Sequence, residues 1–182
     1  PTSEGPRLSD LRAMTSSQGA GIHKVYGTVR IAGNVIWAKP LTETRTETEQ
    51  SGGGKGGGGS VKNVQYTYSQ SFAVGLCEGE IGGIRKIWLN NELVYNLDEN
   101  ADLATLQASN EQASGWTLYR GSYNQLPDPL IQATEGVGNT PAYRNLAYIV
   151  FNELPLVDYG NRTPNVEVEV TNYGYKQYSD PH

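Results

Sequence analysis

The feature that most constrains this fold is the alternation of residue types between positions 61 and 76. Apolar and aromatic residues recur at every second position and polar residues fill the positions between them. The apolar set is Val64, Tyr66, Tyr68, Phe72 and Val74, and the polar set is Gln65, Thr67, Ser69 and Ser71. Because strand side chains point alternately to two faces, the pattern predicts a long strand with one face on a core and one in water. Gln70 breaks the apolar parity, which indicates either a bulge or an interface.

A second alternation precedes this strand. Residues 25–31 alternate between apolar and polar types, residues 32–34 (Ala-Gly-Asn) form a turn signal, and residues 35–38 are again apolar. Two strands separated by a Gly-Asn turn are typical of a β-hairpin. We therefore predict a hairpin across residues 22–38.

More strands follow downstream. Residues 84–89 and 92–95 are joined by Asn90-Asn91, and asparagine tolerates the positive φ that a type I′ hairpin turn requires. Three further strands are predicted at residues 116–119, 146–151 and 165–171. Pro155 and Pro164 exclude a central ladder position for the residues around them.

Helical signals are few. Residues 103–108 predict one short helix, and a second begins after Asp128, a good N-cap, with Pro129 at the first helical position and Gly136 at its end. The chain has 12 Tyr, 22 Gly and 9 Pro, which favour strands and turns. The predicted fold class is mainly β with a minor α+β character: antiparallel barrel-like or sandwich-like domains, a long hairpin and one or two short helices.

Residues 42–60 change in character. Residues 42–49 alternate polar types only, and residues 52–59 consist of glycine apart from Lys55. Such a tract cannot bury apolar surface, so we predict a flexible loop over 42–60 at the tip of a long hairpin. A phosphate-binding loop requires Ser or Thr directly after the lysine and a helix after the loop, and Gly56 and a strand stand there instead.

Composition argues against several kinds of function. A net charge of −5 and a pI near 5.0 disfavour specific nucleic-acid binding. Two histidines and one cysteine are a poor set for a nucleophile–base pair or a zinc site, and Cys77 has the small and apolar neighbours of a buried structural thiol. Apolar runs are too short to cross a bilayer, and there is no signal-peptide pattern. We expect neither enzymatic activity nor a cofactor or metal.

The loop at residues 158–164 concentrates unusual residues. Its Asp, Asn and Arg side chains can lock a turn by internal hydrogen bonds, which is the interpretation we favour. Arg162 can instead form a bidentate pair with a carboxylate of another subunit. The candidate interface residues of the whole chain are Arg7, Asp10, Lys55, Gln70 and Arg162.

Several phrases of the sequence, taken in order, resemble one protein family. They lie at residues 5–10, 25–37, 72–79, 119–121, 125–131, 139–144 and 160–162, with the Gly/Lys tract between the second and third. Together they are similar to the N-terminal part of the large multidomain phage tail proteins that include the gene transfer agent baseplate hub. They also resemble tail-tip attachment proteins of long non-contractile tails. The resemblance covers roughly residues 5–171 and rests on the order and spacing of the set.

This resemblance implies a trimeric hub in the virion, at the distal end of the tail, built of β-barrel-like domains that continue the tail tube. It implies contacts with the distal tail ring protein, the tape-measure protein and receptor-binding or fibre proteins. Family members are longer and carry a downstream TIM-barrel-like domain, so a hydrolase activity does not transfer to this chain. Two alternatives stay open: a receptor-binding module of the tail tip, and a fragment of a cell-wall glycan hydrolase.

The expected organisation has five parts. They are a docking arm at 1–21, a hairpin-rich hub part at 22–76, a small mixed α/β insertion at 77–140, completing strands at 141–172 and a linker to a downstream region at 173–182. The chain begins with Pro1 rather than Met, so we expect residues upstream.

Overall fold

Two β-sheets packed face to face form the body of the protein. The computed structural model describes residues 2–5, 7, 21–50 and 60–173. The strands are β1 (Thr2–Glu4), β2 (His23–Lys24), β3 (Gly27–Ala32), β4 (Asn34–Ala38), β5 (Thr42–Gln50), β6 (Val61–Glu78), β7 (Gly83–Leu89), β8 (Glu92–Asn96), β9 (Trp116–Tyr119), β10 (Leu146–Pro155) and β11 (Val166–Asn172). The helices are α1 (Leu103–Glu111) and α2 (Pro129–Glu135), with a 3₁₀ turn at Val157–Tyr159. The prediction of a mainly β, antiparallel fold is confirmed, in its sandwich-like form.

Strand β6 organises the first sheet, because its 18 residues are long enough to pair with five other strands. β5 and β10 both pair with Ser69, so they occupy opposite edges of β6. β4 and β2 lie on the same edge of β6 as β5. The β6 residues with which they pair have β10 on their opposite edge. β1 lies on the β10 edge, opposite β5, and β9 flanks β10 on the outside.

The second sheet has the order β3-β11-β7-β8. In its central strand β11, Glu167 and Glu169 point outward while the valines between them are buried. Glu167 pairs with Arg30, whose guanidinium lies 3.9 Å from the ring centroid of Trp88. The strand predicted at residues 165–171 is confirmed, although it runs from Val166 to Asn172.

The main core lies between the two sheets. Phe72 and Phe151 stack at its centre with ring centroids 4.9 Å apart, and both side chains are almost fully buried. Each sheet contributes its inward-facing residues, which from the second sheet are Ile31, Ile84, Ile87, Leu89, Val166, Val168 and Val170. Burial of this apolar surface, at about 25 cal/mol per Å², is the main stabilising term.

The predicted hairpin across residues 22–38 is wrong. β3 pairs with β11 in the second sheet, whereas β4 pairs with β6 in the first. The chain crosses between sheets at Gly33, whose N–H donates to the carbonyl of Val166. A Cβ on Gly33 would lie 2.1 Å from Cγ1 of the buried Val74, so the crossing fits only because glycine has no side chain.

The second half of β6 also departs from the prediction of one wet face. From position 70 to position 77 every residue of β6 is buried, including those of the polar parity. A smaller apolar cluster covers the outer face, in which Ile131 of α2 packs with Ala73, Tyr148 and Val150. Tyr119 stacks on Tyr148 in the same layer, with centroids 4.5 Å apart. Only tertiary packing buries this second face.

Local signals were more reliable. Asn90 and Asn91 have φ values of 50° and 68°, which confirms the turn between β7 and β8. Asp128 caps α2 by accepting from the N–H of Ile131 at 2.9 Å, and Gly136 ends the helix with φ 97°. Helix α1 is present but extends three residues beyond the predicted 103–108, to Glu111.

Part of the segment assigned to an insertion contributes to the main core. Within 77–140, Cys77, Ile81 and three β7 residues belong to the cluster between the sheets. α1, β9 and α2 come from the remainder of this segment. The five-part division stays a prediction.

Helix α1 is fastened to β7 by one buried side chain. Asn110 accepts from the N–H of Ile84 at 2.8 Å and donates to the carbonyl of Ile84 at 2.9 Å, as a neighbouring strand would. It also donates to the hydroxyl of Tyr95. The side-chain amide of Asn110 therefore provides hydrogen-bond partners for the backbone of Ile84, which lies beyond the part of β7 that pairs with β8.

Replacing Asn110 with alanine is expected to lower the free energy of unfolding by about 1–3 kcal/mol, because two buried backbone groups lose their partner. The exposed neighbour Glu111, changed to alanine, is the control and should cost less than about 0.5 kcal/mol. Urea denaturation of the two variants measures the difference. Equal midpoints would show that Asn110 does not fasten the helix.

Candidate assembly interface

A long polar hairpin is the most distinctive exposed feature of the chain. We define the hairpin arm as β5 together with residues 61–69 of β6, which pair in continuous register from Thr42↔Ser69 to Gln50↔Val61. Its length of nine pairs is roughly 30 Å. The long hairpin is thus confirmed, but residues 42–50 form a strand and not a loop. Residues 51–59, which include Lys55, lie outside the described residues.

The arm is held by little apolar surface. From Thr44 to the end of β5 every residue is exposed, and only Val64 and Tyr68 are buried within the described arm. The ion pairs of Arg45 with Glu47 and of Lys62 with Glu49 are solvent-exposed and therefore contribute little stability. An arm of this composition is suited to polar contacts with other chains.

Residues near the N-terminus bind along the arm. We define the strap as residues 2–5 and 7. β1 pairs in parallel with β6 through Glu4↔Val64, and the N–H of Gly5 donates to the carbonyl of Val64 at 2.8 Å. The hydroxyl of Tyr66 donates to Glu4 at 2.5 Å. The strap thus adds a short strand to an edge of β6 that β10 does not reach.

Arg7 anchors the end of the strap. Its Nε and Nη2 both donate to the carboxylate of Glu43, at 2.9 Å and 2.8 Å, and its guanidinium lies 5.3 Å from the ring centroid of Tyr66. Tyr68 donates to the same carboxylate at 2.9 Å. The hydrogen bond from Arg7 is the main cause that lowers the pKa of Glu43. In the isolated chain, Arg7 therefore has an internal partner, and its role at an interface stays a prediction.

The root of the arm is fixed at a bulge in β10. The register of β10 on β6 shifts between Phe151 and Leu154, and Glu153 adopts a left-handed backbone with φ 46°. Its carboxylate accepts from the hydroxyls of Ser69 at 2.6 Å and Ser71 at 3.2 Å, and its N–H donates to the Ser71 hydroxyl. The Ser69 bond is the main cause that lowers the pKa of Glu153. The bulge thereby ties the start of the arm to the body.

A pH-dependent difference between the wild type and Glu153→Gln is expected from this arrangement. Because the folded-state pKa lies below the ordinary value of 4.5, the ionised carboxylate stabilises the fold above that pH and loses this effect as pH falls through the folded-state pKa. The carboxylate is exposed, so the difference at pH 7 should stay under about 1 kcal/mol. Urea unfolding at pH 7 and pH 3.5 measures it, and a difference that grows on acidification would contradict this origin.

Gln70 lies inside the chain. It is fully buried, its amide Nε2 donates to the carbonyl of Lys39 at 2.9 Å, and its Oε1 accepts from the hydroxyl of Thr163 at 2.5 Å. The broken parity does accompany a bulge, but the bulge is on the partner strand, where Leu154 pairs with Gln70. Gln70 has an internal role here, and its candidate role at an interface stays untested.

The remaining interface candidates divide into two groups. Arg162 is exposed, and its side chain has no hydrogen bond or ion pair with any other residue that the structure describes. The loop around it is held by the Thr163 hydroxyl and by the N–H of Asn161 donating to the carbonyl of Leu156. Arg162 therefore does not supply the internal lock, and its contact with a neighbour stays a prediction. Asp10 lies outside the described residues.

Titratable groups elsewhere do not assemble into a catalytic or metal-binding set within the described residues. Cys77 is buried as predicted, and desolvation raises its pKa to about 11, which keeps the thiol protonated at neutral pH. His23 is exposed at the start of β2. In the described ranges no group of three His, Cys, Asp or Glu is placed to hold a metal ion, and no helix has the length and hydropathy to cross a membrane.

Sequence reasoning missed four residues that position the arm: Glu4, Glu43, Tyr66 and Glu153. Each acts through a partner far away in the chain, such as Glu153 with Ser69 and Ser71. The only usable signal was the parity break at Gln70, which indicated a bulge without saying which strand carries it.

Comparison with known proteins gives a match among the solved structures. No protein-family model matches the chain, and no curated protein matches it. A chain of the solved structure described as "Virion of native gene transfer agent (GTA) particle" is similar, with a TM-score of 0.60 and 30% sequence identity. The match covers 97% of this chain and 32% of that chain, so this protein spans about a third of the chain it matches. Nearly all of the fold is therefore similar to one part of a longer chain from a virion.

Proposed function

We propose that this protein is a structural component of a virion, specifically of the hub at the distal end of a phage-like tail. The observation that carries the proposal is the similarity over 97% of the chain to a gene transfer agent virion chain, at 30% identity. At that identity the likeness extends beyond the fold alone. The proposed location in the hub rests, in addition, on the resemblance of the sequence phrases to tail hub and tip attachment proteins.

The geometry supports a role in assembly. The hairpin arm presents exposed strand edges, which can pair with strands of other chains. Several large apolar side chains are also exposed, among them Tyr26, Tyr123, Leu126 and Val137. Where such side chains lie next to one another, they form the kind of contiguous apolar patch that marks a contact with a partner.

In the proposed assembly the copies form a closed ring, with a trimer as the expected symmetry. A ring requires heterologous contacts, in which one surface of each copy meets a different surface of the next. The arm and the exposed Arg162 are the parts of the chain that we assign to such contacts. The distal tail ring protein and the tape-measure protein are the proposed neighbours, and receptor-binding or fibre proteins are further partners.

Immunogold electron microscopy of intact particles tests the location. An antibody raised against residues 42–60 should label one end of each tail, distal to the head. Particles from a strain in which the coding sequence is deleted provide the control and should carry no label. Label confined to side fibres, or protein found only outside particles, would overturn the proposal.

A further inference from the structure

The strap occupies a site that the rest of the first sheet leaves open. β10 covers one edge of β6 only as far as Pro155, which pairs with Ser69, and the N–H of Leu156 then donates to the carbonyl of Tyr68. Beyond this point, in the described part of the chain, β1 alone pairs with that edge, through residues 62–64. An uncovered strand edge readily accepts an added strand.

The site selects its occupant by charge as well as by backbone. It presents the hydroxyl of Tyr66 to the carboxylate of Glu4, and the carboxylate of Glu43 to the guanidinium of Arg7. A forked guanidinium–carboxylate contact is among the stronger and more geometrically specific polar interactions. An extended segment with an acidic residue followed three positions later by arginine therefore fits this site, and residues 2–7 of this chain have that pattern.

The partners of the strap all belong to the arm. Among described residues, its ladder pairs, hydrogen bonds and ring contact involve β5 and residues 61–69 of β6. The binding site for the strap therefore belongs to the arm. An arm that contacts a neighbouring copy also presents this site to the N-terminal segment of that copy.

Topology makes an exchange between copies reasonable. β1 and β2 both run parallel to β6 but lie on opposite edges, with Glu4 beside Val64 and His23 beside Cys77. Val64 and Cys77 are 13 residues apart on β6, or roughly 43 Å along the strand. The sequence between the two strands, residues 5–22, is 18 residues long and can span up to about 60 Å when extended, which is long enough to place the strap on the arm of a neighbouring copy.

We propose, resting on the ring assembly of the proposed function, that the strap of each copy binds the hairpin arm of the next copy. The occupant of the open edge is then the strap of a second copy, with Glu4 on the neighbour's Tyr66 and Arg7 on the neighbour's Glu43. Strand exchange of this kind links the subunits of a ring through an element that each already possesses.

Cysteine cross-linking distinguishes the two placements. Ser3 and Asn63 are exposed and are directly paired in the ladder, whereas the buried Cys77 should not react. Two full-length chains with tags of different mass, one carrying Ser3→Cys and the other Asn63→Cys, are co-expressed and treated with a short bismaleimide. We expect a linked species with the summed mass of both chains, and only unlinked chains when either variant is expressed alone.

A charge exchange provides the matched control. Adding Arg7→Glu to the Ser3→Cys chain should reduce the linked species about tenfold, because like charges then meet at Glu43. Adding Glu43→Arg to the Asn63→Cys chain should restore it, although neither chain then has a matching pair of its own.

Two outcomes would overturn the inference. One is a protein that stays monomeric at high concentration, and the other is cross-linking found only within a Ser3→Cys/Asn63→Cys double variant. Either result leaves the proposed location in the virion standing, because labelling of particles tests that location separately.

Discussion

Replacing Gly121 with alanine is expected to lower the free energy of unfolding by about 3–5 kcal/mol. Gly121 has φ 89°, a backbone conformation that residues with a Cβ rarely adopt. A Cβ there would also lie 2.4 Å from the carbonyl oxygen of Gly79 and 2.9 Å from the backbone nitrogen of Ala147. Because both obstacles are backbone atoms, a change of side-chain rotamer cannot relieve them. Urea denaturation followed by tryptophan fluorescence measures the loss.

Gly115 provides the control for this effect. It has a similar φ of 85°, but a Cβ there would meet nothing within 4 Å among the described residues. Gly115→Ala therefore isolates the backbone strain and should cost about 1–2 kcal/mol. Equal losses for the two variants would show that the close approach of Gly121 to Gly79 has no energetic consequence.

Replacing Arg85 with methionine is expected to lower the free energy of unfolding by about 2–4 kcal/mol. Arg85 is 5% exposed, and it donates to the Thr171 hydroxyl, to the carbonyls of Asp98 and Ala101 and to the Tyr173 hydroxyl. Methionine fills much of the same volume but donates no hydrogen bond, so these acceptors lose their donor.

The loss of stability should be localised in the loop at residues 97–102, where Arg85 donates to the carbonyls of Asp98 and Ala101. Hydrogen exchange should therefore accelerate in residues 97–102, directly before α1, by more than the change in global stability accounts for. The adjacent Lys86, with a single 3.5 Å ion pair to Glu169, is the control, and Lys86→Met should cost less than about 1 kcal/mol. Unchanged exchange in residues 97–102 of the Arg85 variant would contradict the role given to it.

Elements whose signals are local were predictable from the sequence. Strand β9 matches the prediction at both ends, since Trp116–Tyr119 is a short run of strand-forming residues followed by Arg120 and Gly121. Asp128 and Pro129 fixed the start of α2, because a cap and a first-turn proline act within one helical turn. The mainly β class followed from many such short runs.

The candidate interface was predictable only in outline. The polar alternation and the glycine tract located a hairpin tip, but the same pattern concealed that residues 42–50 are a strand paired with β6. A strand of Thr, Glu and Arg has no apolar face to reveal it. The role of Glu153 could not be predicted from the sequence either, because its left-handed backbone arises from a bulge in the pairing of β10 with β6.

The sequence by itself determined which segments are extended, where tight turns and helix caps occur, and that one long strand dominates the chain. These properties depend on residues within a few positions of each other, where propensity and side-chain alternation act directly. Tertiary structure alone decided that the chain changes sheets at Gly33, that Gln70 points into the core, and that the strap lies on the arm. Each of these depends on which distant surfaces meet, and pairing between distant strands is set by packing of the whole chain.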